Sequence, residues 1–311
     1  MKQVMWVVLG LLVSLWPAHA AEPTPVNVFI LAGQSNMEGQ GFVPADAKRN
    51  GGLGSLEHLA KDPAGAELYG CLLDAGGGWR TRDDVFIDYL ERRGALTVGY
   101  GVRPDRIGPE LGFGWVVGDA LAEPVLLIKL AWGGKSLAVD FRPPSAGGQV
   151  GPYYTELVTR AKAALADVGT RFPSLAGRTP RLVGFGWHQG WNDRINQAFN
   201  DAYQENMAHF IRDIRREFEA PALPFVIAET GMNGPDEANP RALSLMRAQA
   251  AVAQMPEFVG NVAFVGTRTF WRPAEQSPTG QGYHWNTNAE TYWLIGRAMG
   301  QAMLGLLPPP R

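Results

Sequence analysis

The sequence has only one cysteine, Cys71, and five histidines among its 311 residues. A lone cysteine cannot form a disulfide within the chain, so a hydrophobic core has to supply the stability, and a catalytic thiol is not expected. The histidines are scattered and form no close set with cysteine or carboxylate residues, so the ligand pattern of a metal site is missing. We therefore expect neither a metal nor a cofactor.

An excess of charge of either sign is also missing. The chain has 28 Lys and Arg against 30 Asp and Glu, and no stretch gathers the basic residues into a stripe. Binding to a phosphate backbone requires such a stripe, so we do not expect nucleic acid as a partner. Hydrophobic residues make up 46% of the chain, which is enough for one large buried core.

Residues 1–20 have the pattern of a signal peptide. Lys2 supplies a positive start, VMWVVLGLLVSLW is an apolar run too short to span a bilayer comfortably, and a small-x-small sequence ends at Ala20. We expect a mature chain that begins at Ala21, is exported to the periplasm or the medium, and has no stable membrane association. The alternative is an uncleaved anchor helix, which Pro17 disfavours because it ends the apolar run early.

Beyond residue 20, apolar runs alternate with amphipathic stretches, as in an α/β layer fold. The apolar runs are nearly continuous, which is typical of strands covered on both faces, so we predict a five-stranded parallel sheet in a three-layer α/β/α sandwich. Residues 39–108 break this rhythm, and we interpret them as an insertion into a single domain, residues 21–311, that covers part of the active face. The predicted strands are 26–32, 124–131, 181–187, 224–230 and 261–267, and the predicted helices are 110–122, 153–168, 198–219, 240–254 and 288–307.

Polar motifs that follow the strands are the first candidates for a site, because ligands of such folds bind beyond the carboxyl ends of the strands. Directly after the first strand the sequence reads GQSNM, residues 33–37. The glycine allows a sharp turn, and Ser35 at the start of the following helix lies in a field that favours a developing negative charge. The alternative is that Ser35 only caps that helix.

Three more motifs offer the groups that acyl transfer requires. In AWGGKSL, Gly133 and Gly134 expose backbone N–H groups, although a turn that merely needs glycine is equally natural. GWHQGWND, residues 186–193, supplies tryptophans that suit sugar rings and amides that suit an oxyanion hole; the alternative is a plain turn. His284 precedes the last predicted helix and has the ordinary pKa of a base, although a lone histidine is more often structural.

Taken in order, these motifs resemble the sialate O-acetylesterase type of carbohydrate esterase, including carbohydrate esterase family six, within the SGNH-hydrolase superfamily. The resemblance rests on GQSNM, GPELGFG, GGKS, WHQGWND and a histidine before the final helix, and it runs through nearly all of the chain after residue 20. It implies a flavodoxin-like fold, with Ser35 as the nucleophile and His284 as its general base.

The same resemblance assigns the oxyanion hole to the backbone N–H groups of Ser35 and Gly134 and to one amide side chain. The spacing of the third block favours Asn192, whereas relatives with a WxQGExD pattern favour Gln189. We prefer Gln189, which also lies nearer the strand end. The side chains that we expect to bind substrate around these groups are Gln34, Asn36, Trp187, His188, Trp191 and Trp285.

The sequence departs from the family pattern at the acid that usually orients the histidine. The superfamily places an aspartate three residues before the histidine, and here that position is Gln281. We rank Asp193 first as a substitute because it shares a block with the oxyanion donor, with Glu229 as the runner-up and Glu275 third. If none of them acts, the site is a Ser–His dyad whose imidazole is held by other groups.

We therefore expect a carbohydrate O-acetylesterase that acts on an acetylated polysaccharide such as xylan, or on a sialic-acid-type sugar, through an acetyl-serine. One alternative is an esterase of simple or lipid esters, but its cleft should be aliphatic, whereas tryptophans surround the motifs here. The other is a sugar-binding protein that has lost catalysis, as the missing aspartate suggests.

The signal-peptide interpretation gives a direct expectation. Protein purified from its native host should begin at Ala21 and lie outside the cytoplasm, because signal peptidase cuts after small residues at the end of a short apolar run. N-terminal sequencing of the purified protein checks this, and a soluble cytoplasmic product that begins at Met1 would contradict it.

Overall fold

The protein is described here by a computed structural model that covers residues 24–308. The predicted signal peptide lies outside these residues. Nine strands occur in this part of the chain: β1 (Pro25–Gly33), β2 (Gly41–Phe42), β3 (Val85–Tyr89), β4 (Arg92–Ala95), β5 (Arg106–Ile107), β6 (Val125–Ala131), β7 (Thr179–His188), β8 (Phe225–Ala228) and β9 (Val262–Val265). The helices are α1 (Ser35–Glu38), α2 (Leu56–Lys61), α3 (Ala66–Tyr69), α4 (Pro109–Ala120), α5 (Pro152–Ala166), α6 (Val168–Arg171), α7 (Trp191–Arg194), α8 (Gln197–Asp201), α9 (Tyr203–Glu217), α10 (Pro240–Val252) and α11 (Ala289–Leu306).

Seven of the strands form one sheet in the order β4-β3-β6-β1-β7-β8-β9, and β2 and β5 form a separate antiparallel pair. Neighbours in the large sheet are parallel except β3 and β4. The predicted α/β class and all five predicted strands are confirmed. The predicted strand count of five is wrong, because β3 and β4 come from residues 39–108 and extend one edge of the sheet.

The strands β3 and β4 were not predicted, and the reasons are physical. The strand β4 is a polar sheet edge, Arg92–Ala95, in which no residue is fully buried. Its partner β3 is buried along its whole length, but it has only five residues and ends in the polar pair Asp88 and Tyr89. The strand β4 has few apolar residues and β3 is short, so neither shows a clear period, and the Gly- and Arg-rich surroundings favour a loop.

Both faces of the sheet are covered, which explains the continuous apolar strands. On one face, Phe185 of β7 stacks on Phe225 of β8 with ring centroids 4.4 Å apart, and Phe210 of α9 covers both rings. On the other face, Phe29 of β1 meets Phe113 of α4 edge-on at 5.3 Å. Burial of these aromatic side chains is the main source of stability, at roughly 25 cal/mol per Å² of apolar surface.

Parallel pairing places the carboxyl ends of the central strands side by side at one end of the sheet. Gly33 at the end of β1 is in register with Ala131 of β6 on one side and with His188 of β7 on the other. The segments that leave these strands therefore start side by side. The GQSNM, AWGGKSL and GWHQGWND motifs follow these strands and therefore lie at this end of the sheet.

Part of the 39–108 segment packs beside the chain that carries His284. Asn50 Nδ2 donates to the carbonyl oxygens of Ala274 and Ser277 at 2.8 and 2.7 Å. The Ala289 N–H donates to the Gly54 carbonyl at 2.7 Å, at the start of α11. That the segment covers the active face as an insertion stays a prediction. Within residues 24–308, no helix combines the length and apolar character needed to cross a bilayer.

A buried ion pair joins the sheet to α4 and α1. The Lys129 Nζ of β6 lies 2.7 Å from Glu110 Oε2, and both side chains are essentially inaccessible to solvent. The same ammonium donates to the carbonyls of Glu38 and Tyr100 at 2.7 and 2.8 Å. All three N–H groups of the ammonium are thus used, which a buried charge requires to offset its desolvation.

Candidate active site

Ser35 is the first residue of α1, directly beyond the end of β1. Gly33 precedes it with φ +154°, and a Cβ there would lie 2.2 Å from the His188 carbonyl oxygen, so only glycine fits. The N-cap position belongs to Gln34, with no capping side chain, so the alternative interpretation of Ser35 as a helix cap does not describe this turn. Ser35 itself is largely buried, with 9% of its surface exposed.

The Gln34 side chain ties this turn to the neighbouring one after β7. Its Oε1 accepts from the backbone N–H groups of Gly190 and Asn192 at 3.2 and 3.3 Å. Its Nε2 donates to Asn192 Oδ1 at 3.0 Å. Gln34 is 2% exposed, so it holds two loops of the site together and presents no surface to a substrate.

Asn36 links the segment of Ser35 to the segment of His284. Its Nδ2 donates to the Tyr283 carbonyl at 3.1 Å, and its Oδ1 accepts from the Tyr292 hydroxyl of α11 at 2.7 Å. The same hydroxyl lies 3.2 Å from the His284 carbonyl oxygen. Asn36 is also buried, at 2% exposure, so its amide positions the histidine segment and does not face a ligand.

His284 is half-buried, and its ring contacts an amide. The His284 Nδ1 lies 3.2 Å from Gln281 Oε1, and the Gln281 Nε2 donates to the Tyr283 hydroxyl. Burial lowers the pKa of His284 from its usual 6.5 to about 4. Within the described part of the chain, no hydrogen bond joins this imidazole to the Ser35 hydroxyl. Such contacts are often long in a ligand-free site and close in the substrate complex.

A left-handed turn follows the histidine. Trp285, Asn286 and Thr287 have φ values of +54°, +53° and +56°, a conformation that costs about 1–2 kcal/mol for each non-glycine residue. Tertiary contacts hold it: Trp285 is enclosed next to Trp271, with centroids 6.1 Å apart, and Asn286 Nδ2 donates to the Arg272 carbonyl at 3.0 Å. The backbone path of the histidine segment is thus imposed by its surroundings.

The loop after β6 lies beside Ser35, since a Cβ at Gly133 would be 3.7 Å from the Ser35 Cβ, and we call the surface next to Ser35, His284 and this loop the cleft. Gly133 and Gly134 are both exposed, and Gly134 has φ +70° with open space where a Cβ would point. Burial raises the pKa of Glu38, and a backbone hydrogen bond from Gly133 acts against that rise. Gly133 thus lies beside the Glu38 carboxylate, whereas Gly134 has no atom within 4 Å of where its Cβ would lie.

The two candidate amides of the third motif have different surroundings. Gln189 is 1% exposed, and its Nε2 donates to the Lys135 carbonyl at 2.9 Å and to Asp193 Oδ2 at 2.6 Å, which uses both N–H groups. Asn192 is half-buried at the cleft, and its Nδ2 donates once, to the Gly134 carbonyl at 2.9 Å. One N–H of Asn192 is therefore left for a ligand, next to Gly134.

Asp193 is enclosed beneath the loop after β6 and is 0% exposed. Its carboxylate accepts from the backbone N–H groups of Leu137 and Ala138 at 2.8 and 2.9 Å, as well as from Gln189. Burial raises the pKa of Asp193 to about 6, although these hydrogen bonds oppose the rise. The carboxylate fixes the loop that carries Gly134, and it does not meet His284.

The runner-up acids do not meet the imidazole either. Glu229 accepts from the backbone N–H groups of Thr267 and Arg268 at 2.8 and 3.3 Å. Glu275 is exposed at the surface of its loop. Across residues 24–308, no carboxylate forms a hydrogen bond or ion pair with His284, and Gln281 occupies the position next to its Nδ1.

Most of the predicted aromatic contacts are part of the core. Trp187 is fully buried between Phe141 and Phe210, with ring centroids 5.2 and 4.6 Å away. His188 and Trp285 are also fully enclosed, and burial lowers the pKa of His188 to about 4. The predicted substrate contacts of these three side chains, like those of Gln34 and Asn36, are not available, because protein surrounds them on every side.

An aromatic rim does border the cleft, and part of it was missed in the sequence. Trp191 is half-buried, with the Arg194 guanidinium 3.7 Å above its ring and the Tyr283 ring 5.8 Å away. Tyr283 is 43% exposed and lies 4.5 Å from the His284 ring. In the sequence, Tyr283 directly precedes the candidate His284, and this position could have indicated that Tyr283 lies at the rim. In the described residues, no three His, Cys, Asp or Glu side chains are grouped closely enough to hold a metal ion.

The chain matches a known protein family. Residues 25–305 match the family model described as carbohydrate esterase, sialic acid-specific acetylesterase. The match spans most of the chain, so the protein belongs to this family of carbohydrate esterases, as the sequence motifs had indicated. No curated protein sequence matches the chain.

Solved structures share the fold at low sequence identity. A protein of Arabidopsis thaliana is 16% identical, with a TM-score of 0.59 over 90% of this chain and 98% of the other. The carbohydrate acetylesterase XAC1771 of Xanthomonas citri is 14% identical, with a TM-score of 0.51 over 88% of this chain and 55% of its own. NanS is 15% identical, with a TM-score of 0.51 over 80% and 79% of the two chains.

The Asn36–Tyr292 contact generates a prediction. Tyr292→Phe removes the hydroxyl that holds both Asn36 and the His284 carbonyl, so we expect kcat for acetyl-ester hydrolysis to fall about 10–100-fold with little change in KM. The matched control is Tyr154→Phe, because Tyr154 is equally buried and its hydroxyl has no hydrogen-bond partner in residues 24–308. Steady-state kinetics of the two variants check this, and equal kcat values would show that the contact does not position the histidine.

Proposed function

We propose that this protein is a serine esterase that removes O-acetyl groups from a carbohydrate through an acetyl-serine intermediate. The observation that carries the proposal is that Asn36, next to Ser35, bonds the Tyr283 carbonyl beside His284, while the loop of Gly133 and Gly134 lies against Ser35. The family membership supports the carbohydrate-esterase class. The proposal adds the nucleophile and the two-step course of the reaction.

In the first step, the Ser35 hydroxyl attacks the acetyl carbonyl and His284 Nε2 takes its proton. The C–O bond to the sugar then breaks, and the protonated imidazole returns the proton to the leaving sugar hydroxyl. In the second step, water attacks the acetyl-serine, His284 takes a proton from it, and acetate leaves as Ser35 recovers its hydrogen. The Nδ1 contact with Gln281 leaves Nε2 free for both transfers.

We assign the oxyanion hole to the backbone N–H groups of Ser35 and Gly134 and to Asn192 Nδ2. Three features support this choice: the first N–H groups of a helix have no acceptor within it, Gly134 borders the cleft, and Asn192 retains an unused N–H beside Gly134. The assignment replaces the sequence-based preference for Gln189. Its amide is saturated, so Gln189 instead supports Asp193 and the loop.

A carbohydrate fits the rim of the cleft better than a lipid does. Trp191, Tyr283 and Arg194 offer flat aromatic surface, a hydroxyl and a cation, which suit sugar rings and their hydroxyl groups. A lipid ester would call for an aliphatic surface. The acetylated sugar, whether in a polysaccharide such as xylan or in a sialic-acid-type sugar, and the export of the protein remain proposals.

The nucleophile assignment is tested with Ser35→Ala. Because Ser35 supplies the attacking oxygen, we expect turnover of an acetylated sugar to fall by several orders of magnitude in a protein that still folds. Ser145→Ala is the control, since Ser145 is an exposed serine away from Ser35 that should keep wild-type turnover.

Acetate release, with mass spectrometry of the Ser35 peptide in a quenched reaction, provides the measurement. Wild-type turnover by Ser35→Ala would remove Ser35 from the mechanism. Tight binding of the acetylated sugar without turnover by the wild-type protein would favour the sugar-binding alternative.

The oxyanion assignment distinguishes two similar side chains. Asn192→Leu removes the donor at the cleft, so we expect kcat to fall roughly 10²–10³-fold with little change in KM. Gln189→Met should lower the free energy of unfolding by about 1–3 kcal/mol, because Asp193 and Lys135 lose a buried partner, and it should lower kcat less. Steady-state kinetics and urea unfolding of both variants measure these effects. If Gln189→Met lowers kcat more than Asn192→Leu does, Gln189 is the oxyanion donor.

A further inference from the structure

We infer that Gln281 is the residue that orients His284, so that the catalytic set of this enzyme consists of a serine, a histidine and a glutamine without a carboxylate. The inference rests on the proposed function and deepens its mechanism. It concerns the one position at which the chain departs from the aspartate of the superfamily pattern.

The geometry starts from the backbone turn that Gln281 and His284 share. The Gln281 carbonyl accepts from the His284 N–H at 2.8 Å and from the Asn286 N–H at 3.1 Å. This turn brings the two side chains to the same side, where Gln281 Oε1 lies 3.2 Å from His284 Nδ1. A side chain three residues before the histidine therefore reaches its ring without any help from another element.

The two ends of the Gln281 amide contact different groups. Its Oε1 faces the imidazole, and its Nε2 faces the Tyr283 hydroxyl and donates to it. An amide oxygen only accepts, so Nδ1 has to carry the proton and Nε2 is left as the base. The glutamine thus selects the same tautomer that an aspartate selects in a serine hydrolase.

Charged groups of the surrounding elements do not take over this role. Glu229 at the end of β8 is bonded to backbone N–H groups, Asp193 in α7 is enclosed under the loop after β6, and Arg194 stacks on Trp191. The ionisable groups that approach the histidine are two phenols. Tyr283 contacts its ring, and Tyr292 of α11 reaches its carbonyl oxygen.

A neutral partner changes how the rate depends on pH. An aspartate would stabilise the imidazolium and raise the pKa of the histidine, whereas an amide supplies orientation without that charge. Burial alone lowers the pKa of His284 to about 4. The base is active when it is neutral, so its activity persists above about pH 4 and is lost as the pH falls through that value.

The test places a carboxylate at the same position. In Gln281→Glu, the new charge should raise the pKa of His284 by about 1–3 units, so the acid limb of kcat/KM moves to higher pH by that amount. In Gln281→Met, the limb should stay in place while kcat falls at least tenfold and KM changes little, because the orienting contact is lost. Gln276→Glu is the matched control, since Gln276 is exposed in the same segment and should leave the profile unchanged.

Acetate release between pH 3 and 8 gives the profiles, and thermal unfolding confirms that each variant is folded. Overlapping acid limbs for wild type and Gln281→Glu would overturn the inference, as would wild-type kcat in Gln281→Met. If the wild-type protein does not hydrolyse acetyl esters, the proposed function fails. NMR titration of the His284 ring in wild type and Gln281→Glu then still decides whether Gln281 contacts it, because this measurement needs no turnover.

Discussion

The register of β1 against β6 and β7 fixes where the segments of Ser35, Gly134 and Asn192 leave the sheet. Gly33 pairs with Ala131 and His188, so the three chains leave the sheet at the same level. A slip of one residue in β1 would turn Ser35 and its neighbours to the other face of the sheet. The absence of a Cβ at Gly33 allows the turn to lie against the His188 carbonyl, so the register and the placement of Ser35 depend on the same contact.

Beneath the carboxyl ends of the strands, buried polar side chains hold the loops of the candidate site in place. Asp193 holds the loop after β6, Gln34 joins the turns after β1 and β7, and Lys129 holds the end of α1. Each of these groups is desolvated, and each is offset by hydrogen bonds to backbone groups that would otherwise lack partners. These buried side chains therefore fix the backbone of the segments that carry the exposed hydrogen-bond donors of the candidate site.

The layers of the fold were predictable because they depend on local patterns. Continuous apolar runs indicated the buried strands, and the motifs that follow them indicated the candidate site around Ser35 and His284. The sequence could not show which side of a motif faces the core. Trp187 and Trp285 were predicted at the substrate, but packing against residues far away in the chain encloses them.

For the same reason, the sequence could not show which amide has a free N–H or which side chain contacts the His284 ring. Gln189 and Asn192 differ in their hydrogen bonds because Asp193 and the Lys135 carbonyl accept from both N–H groups of Gln189, and no spacing rule reveals such a partner. The search for a missing acid assumed that a carboxylate was needed. The amide at the expected position, Gln281, reaches the ring by itself.

The left-handed turn after His284 has a consequence for how the sequence can change. Glycine would relieve the backbone at all three positions, but Trp285, Asn286 and Thr287 are also the side chains whose packing and hydrogen bonds impose the turn. A single replacement relieves strain and removes the restraint at once, so its effect depends on the other two residues. We therefore expect the effects of substitutions at these three positions on stability to be non-additive.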